Sequence, residues 1–328
     1  MLPRFTIRIE RWPLKAPFRI SRGVKTHAVV VVAEARYGGL VGRGECVPYA
    51  RYGETPDGVV AQIESLQDRC TGELSRAELQ SLLPPGAARN AVDCALWDLE
   101  AKASGRSVAQ MLGIPEVGVM ETAVTVSLDR PEAMADAARR LAGVPLIKIK
   151  VDAKRPEAAI EAVARAAPGA RLIVDPNESW SFGLLRDLQP FLRELAVALV
   201  EQPLPAEADD ELEGFEPLVP LCADESVHVV GDLDRVASRY QVVNIKLDKT
   251  GGLTHALHLK SAARERGLGV MVGCMVCTSL GIAPALYVAA DADFVDLDGP
   301  WWLADDRESH VRIENGRLFA PPGDLWGA

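Results

Sequence analysis

The chain has 328 residues, 48% hydrophobic and 25% charged, an ordinary globular composition with length enough for a large core and more than one domain. Its net charge of −10 and its lack of a basic tract argue against a nucleic-acid partner. The start, MLPRFTIRIERW, carries charges where a secretory signal needs an apolar core, and the six scattered cysteines (46, 70, 94, 222, 274, 277) read as reduced thiols, so the expected location is the cytoplasm.

In chain order, RFTIRIERW and AVVVVAEARY read as strands, with Gly38-Gly39 turning a hairpin after the second. FRISRGVKT (18–26) and ECVPYARYGET (45–55) read as loops fit to close over a site. In AARNAVDCALWDLEAKASG (87–105), Ala88, Val92, Ala95, Leu96, Leu99 and Ala103 recur at helical spacing, and Gly105 suits the stop.

From about residue 119 short apolar runs alternate with helical stretches. The runs are TAVTV, LIKIK, RLIVD, VALVE, PLCAD, VVNIK, GVMVG and DFVDLD. The last polar or glycine residue of each is Thr125, Lys150, Asp175, Glu201, Asp224, Lys246, Gly273 and Asp298, at intervals of 25, 25, 26, 23, 22, 27 and 25 residues. Each interval holds one strand, one helix and two short loops. Eight such beats predict a closed parallel barrel whose active site lies at the C-terminal ends of the strands. The uncharged stretch 267–290 is long enough to span a membrane, but its four glycines and its proline suit a buried strand, a turn and a buried helix better. HVRIENGRLFAP predicts a hairpin turning at Asn315-Gly316 and rejoining the first domain. The expected fold is therefore α/β: a modified (β/α)8 TIM-type barrel over 119–305, an α+β capping domain over 1–118, and a segment 306–328 returning to the cap.

Asp175, Glu201 and Asp224 end three consecutive beats. Singly, each is a plausible turn or cap residue. Together at one end of a barrel they need a cation between them, and hard oxygen donors suit Mg²⁺. Lys150 and Lys246 end the second and sixth beats, which lie opposite in an eight-stranded barrel, so a substrate carbon between them has an amine on each side. Lys148 shares a strand face with Lys150, about 6.6 Å away. At that distance two like charges repel by roughly 2.5 kcal/mol, which favours loss of a proton and makes Lys150 a candidate base.

This set resembles the enolase superfamily over nearly the whole chain. RNAVDCALWDLEAKASG resembles the late helix of its capping domain, KIK its K-x-K motif, Asp175, Glu201 and Asp224 its three metal ligands, and Lys246 its opposing lysine. No His-Asp pair follows on later strands, so the muconate-lactonizing branch fits better than the mandelate racemase branch. The resemblance implies one Mg²⁺ per site, proton transfer by Lys150 and Lys246 with help from Lys148, and a homo-oligomer. Within that branch, Asp296 and Asp298 in FVDLDGP resemble the D-x-D of dipeptide epimerases, where two acids meet a substrate α-ammonium. Thr125, at the rim, joins the expected substrate contacts. Arg22 resembles the arginine that meets an acidic side chain, which implies epimerisation of L-Ala-D/L-Glu, a fragment of cell-wall peptide, at its C-terminal residue. An o-succinylbenzoate synthase or muconate-type cycloisomerase on the same frame, a Schiff-base aldolase, and a non-catalytic binding barrel remain as alternatives. Trp301-Trp302 and Cys277 depart from the usual pattern, and the two tryptophans read either as reshaping the pocket for the N-terminal residue or as core packing, the latter for at least one of them. Cys274 and Cys277 form a C-x-x-C without a second pair, and His255 and His258 read as ordinary helix positions.

Overall fold

The computed structural model describes residues 3–70 and 74–327. β1 (Arg4–Ile20), β2 (Gly23–Tyr37) and β3 (Leu40–Cys46) form an antiparallel sheet, with Gly38 and Gly39 in the left-handed region at the β2–β3 turn. The expected loop at 18–26 is largely strand. After a register shift between Pro13 and Phe18, β1 and β2 pair again through Phe18 with Lys25 and Ile20 with Gly23. The lid element is thus a hairpin tip.

Helices α1 (Pro56–Arg69), α2 (Arg76–Leu82) and α3 (Ala87–Ser104) complete the cap. Gly105 ends α3 in the left-handed conformation at φ 65°. From Ala87 to Leu99 every residue of α3 is buried, including Arg89, Asn90, Asp93 and Asp98, whereas Ala103 is exposed near its end. The helix is enclosed because it lies between the cap sheet and the barrel. Gly42 and Gly44 of β3 permit that approach: a Cβ on either would sit 2.1 Å from the carbonyl oxygen of Ala95 or Ala91.

β4 (Val119–Glu121) leads into eight parallel strands: β5 (Val124–Val126), β6 (Leu146–Lys150), β7 (Arg171–Asp175), β8 (Val197–Glu201), β9 (Leu221–Ala223), β10 (Val242–Ile245), β11 (Gly269–Gly273) and β12 (Phe294–Asp296). Their order in the sheet is their order in the chain. Ala123 N donates to Val295 O at 2.8 Å across the seam between the first and last strands. Both strand faces are buried, as in parallel sheets generally. Outward residues such as Ile147, Val174, Val200, Val243 and Val270 join the large core beneath the helices. Inward, Ala123, Leu146, Ile173, Leu199, Cys222, Val242 and Met271 make a separate apolar plug.

The C-terminal hairpin, β13 (Arg312–Glu314) and β14 (Arg317–Phe319), does not rejoin the cap as expected. It adds to β4, so it extends the entry strand of the barrel. The segment meets the cap on either side of the hairpin: Arg307 donates to Glu10 and Glu45, Arg43 donates to the carbonyls of Asp324 and Leu325, and Gly327 N donates to Asp98 of α3 at 2.8 Å.

Candidate active site

The strand period of two carries the inward column from apolar plug to polar mouth. Two residues beyond the plug stand Thr125, Lys148, Asp175, Glu201, Asp224, Asn244 and Gly273, and two further stand Lys150 and Lys246. A cavity of about 520 Å³ opens above them, beneath the β1–β2 tip and residues 49–52 of the cap. Lys148, Lys150, Lys246, Asp224, Thr125, Asp296, Asp298 and Arg22 all line it. Asp175 and Glu201 do not, but they are fully buried directly against the lysines.

Lys150 Nζ donates to Asp175 at 2.5 Å and Lys246 Nζ to Asp224 at 2.5 Å, while Lys246 is 4.0 Å from Glu201. Lys148 Nζ lies 3.1 Å from Asp175, 2.6 Å from Glu201 and 2.7 Å from Asp296. Its contact with Glu201 Oε2 is an ion pair without hydrogen-bond geometry. Burial alone would draw the Lys148 pKa down, but Asp296, Glu201 and Asp175 hold it well above the usual lysine range. Burial likewise opposes, and Asp224 and Glu201 outweigh it, in raising Lys246. Asp175, despite burial, is pulled to about 2 by Lys150 and Lys148. Glu201 is pushed up to about 7 by burial and by repulsion from Asp175.

Among the described residues, no three acid, His or Cys side chains stand arranged as a ready metal cage, since each of the three carboxylates has an ammonium against it. The donor set nevertheless fits a hard divalent ion. All three groups are oxygen donors on neighbouring strands, and oxygens of Asp175 and Glu201 already converge on one cation, Lys148 Nζ. The repulsion that raises Glu201 is one that a bound cation would relieve.

Two acids sit otherwise than expected. Asp298 is not on the last strand; it precedes the short helical turn Gly299–Trp302 and accepts a hydrogen bond from Thr125 N at 2.7 Å. Asp296 pairs with Lys148 through Oδ2, while its Oδ1 is buried without a partner. Arg22 is committed to two carboxylates, Glu225 at 2.6 Å and Glu178 at 2.8 Å. Lys25 was overlooked as a candidate. It lines the same cavity, lies 4.9 Å from the Tyr49 ring centre, and has no ion-pair partner among the described residues. Its strand register opposite Phe18 pointed to it only once the tip was known to be paired. Asn244, also overlooked, donates to Glu201 at 2.8 Å and was legible as the residue two before Lys246. Trp302 packs edge-on against cavity-lining Phe18, Trp301 lies beneath Lys15, and neither tryptophan lines the cavity. Cys277 is a buried free thiol, Cys274 is half-buried, and His255 bonds to Arg89.

Residues 4–113 match the mandelate racemase/muconate lactonizing enzyme N-terminal domain, and residues 132–324 match the enolase C-terminal domain-like family. The chain belongs to the enolase superfamily. This superfamily member is 48% identical to an L-Ala-D/L-Glu epimerase of Escherichia coli K12, over 94% of this chain and 97% of that protein. It is 46% identical to an N-acetyl-D-glutamate racemase of a Pseudoalteromonas species, over 91% and 94%. A crystal structure of an enolase family member from Agrobacterium tumefaciens, with bound sodium and L-Ala-L-Glu, superposes with a TM-score of 0.96 at 48% identity, covering 99% of this chain and 100% of that one. No helix among the described residues is long and apolar enough to cross a membrane.

Proposed function

We propose that the protein is a Mg²⁺-dependent dipeptide epimerase that inverts the α-carbon of the C-terminal residue, with L-Ala-L-Glu and L-Ala-D-Glu as its substrate pair. The observation that carries this reading is the placement of Lys150 and Lys246, on opposite strands, at the walls of one cavity with Asp175, Glu201 and Asp224 on the three strands between. Asp175, Glu201 and Asp224 would hold the ion. When bound, it supplies positive charge against the substrate carboxylate and so stabilises the charge that builds as the α-proton leaves.

One lysine, as the free amine, takes the α-proton from its face of the substrate. The other, as the ammonium, returns a proton to the opposite face, and the roles exchange for the reverse reaction. Lys148 remains charged and supports the negative enolate. Asp296 and Asp298 receive the substrate α-ammonium, and the unpartnered Asp296 Oδ1 is an acceptor suited to it. Lys25, with Arg22 beside it, faces the acidic side chain. Such an enzyme acts on cell-wall peptide fragments in the cytoplasm, in keeping with six free cysteines. The test is mass-spectrometric screening of L-Ala-X dipeptides in D₂O with Mg²⁺. Deuterium should enter the α-carbon of the second residue, and its absence from every dipeptide would refute the reading.

The relative that racemises N-acetyl-D-glutamate supports a second reading. That substrate and Ala-Glu are both N-acylated glutamates; the alanyl group has one further carbon, which carries the ammonium. Turnover of N-acetylglutamate in preference to Ala-Glu would assign this chain to the second reaction, and turnover only of other acids without an ammonium would revive a succinylbenzoate synthase or cycloisomerase.

A further inference from the structure

The turn that follows Lys246 is gripped by the cap, and the chemistry above makes no use of the residue at its centre. Asp248 is buried two residues beyond Lys246, within the single helical turn Leu247–Thr250. Its Oδ1 accepts from Val47 N at 2.9 Å and from Asn90 Nδ2 at 2.8 Å. Val47 is the first residue after β3, at the root of the segment that supplies Tyr49 and Tyr52 to the cavity, and Asn90 lies within α3. One carboxyl oxygen thus ties the lid root and the cap helix to the strand end that bears Lys246.

The adjoining residues close the same seam. Arg89 of α3 donates to Thr250 O at 2.7 Å, and Asp93 accepts from both Thr254 N and Thr254 Oγ1. Gly251 and Gly252 have φ of +80° and +109°, and a Cβ on them would lie 2.3 Å from Arg89 Nε and 2.5 Å from Asp93 Cβ. The other lysine is held differently. After Lys150, the described hydrogen bonds stay within the barrel: Val151 N to Asp175 O, and Trp180 Nε1 to Asp152 O.

We propose that Asp248 is a positioning residue through which the capping domain sets the place of Lys246, but not of Lys150, at the barrel mouth. This rests on the two-lysine reading given above. Without the Asp248 acceptor, Val47 N loses its partner, Asn90 Nδ2 keeps only its longer bond to Glu45 O at 3.3 Å, and the turn loses its direct tie to the lid root, though Arg89 and Lys249 still hold it. A displacement of about 1 Å at a reacting group costs on the order of 100-fold in rate. Burial, reinforced by Glu54 and Glu45, pushes the Asp248 carboxyl up to about 7, so an uncharged side chain with the same oxygen is compatible with the site.

The experiment follows α-proton exchange into D₂O by the full chain with Mg²⁺, starting separately from L-Ala-L-Glu and L-Ala-D-Glu. Lys150→Met and Lys246→Met identify the epimer that each lysine deprotonates. Asp248→Ala should slow exchange of the Lys246-dependent epimer at least about tenfold more than that of the other, and Asp248→Asn should restore the balance. Asn90→Ala removes one of the two bonds and should give the same bias to a smaller degree, which keeps the test open if Asp248→Ala does not fold. Equal slowing of both epimers, or none, would overturn the assignment of Asp248. Exchange of neither epimer by the unsubstituted enzyme would overturn the two-lysine reading itself.

Discussion

Lys148 Nζ sits within 3.1 Å of oxygens from three carboxylates, and this changes what its charge does to Lys150. A like charge about 6.6 Å away counts for roughly 2.5 kcal/mol only while it is bare. Surrounded by Asp175, Glu201 and Asp296, Lys148 belongs to a group that is net negative, so simple repulsion between the two lysines does not set the chemistry. On the proposed function, Lys148 would serve as a fixed cation, and Lys150 and Lys246 would be the groups that exchange protons. Replacing either by Met should lower epimerisation by about 10²–10⁴-fold while exchange of one epimer with solvent survives, as read by NMR in D₂O. Loss of exchange from both epimers in either variant would contradict one lysine per face. Asp296→Asn should lower kcat/KM for L-Ala-L-Glu by about 10–100-fold, the weight of one charged hydrogen bond, with little effect on N-acetyl-L-glutamate, which brings no ammonium. Equal losses on both substrates would assign Asp296 to holding Lys148 instead.

At the scale of elements, the barrel was legible because each strand is a local pattern. LIKIK, RLIVD and VALVE carry apolar residues outward and a polar residue at the inward mouth, and all three form the strands read from them. Asp175, Glu201, Asp224 and both catalytic lysine candidates were placed by the same period. What the pattern could not carry was pairing at a distance. The tip at 18–26 is strand because Phe18 finds Lys25, and the last hairpin goes to β4 because its partner lies 196–200 residues earlier in the chain. Asp298 left the strand for the same reason, drawn to Thr125 N across the barrel seam. The α3–β3 contact is another long-range feature written only as two glycines. Gly44→Ala would drive a methyl group into the Ala91 carbonyl. It should cost about 3 kcal/mol or more, at the upper end for overpacking, seen as a fall in Tm with the barrel's own helical circular dichroism retained up to the transition. An unchanged Tm would mean that α3 can retreat from the sheet.

For the whole molecule, the acid groups that burial has lifted set the pH dependence of stability. Burial raises Asp93 and Asp298 to about 6 and Glu201, Glu225 and Asp248 to about 7, with neighbouring acids adding to the effect at the last four. An unfolded chain releases these protons near pH 4, whereas the folded chain keeps them to pH 6 or 7. Over that interval the native state binds more protons, so stability falls as pH rises from about 4.5 to 7 and then levels. Asp175 and Asp224 act with the opposite sign. Their carboxylates are favoured by folding, and that stability is lost only as pH falls from about 4 toward 2. His228, held down to about 4 by burial, and His255, lowered by burial and by Arg89, oppose the five acids below about pH 6.5, and Lys15, Lys25 and Lys249, lowered by burial, act with that same opposing sign toward the lysine range. Metal-free protein should therefore melt at a lower temperature at pH 8 than at pH 5.5, by about 2–4 °C for each kcal/mol involved. On the proposed metal site, a divalent ion would take the place of the proton that Glu201 otherwise holds, so Mg²⁺ should raise Tm more at pH 8 than at pH 5.5 and narrow the gap between them. Calorimetry at the two pH values, with Mg²⁺ and with chelator, measures all four points. A metal-free Tm that rises with pH would show that these carboxyls are ionised in the fold, and a Mg²⁺ effect equal at both pH values would remove Glu201 from the metal site.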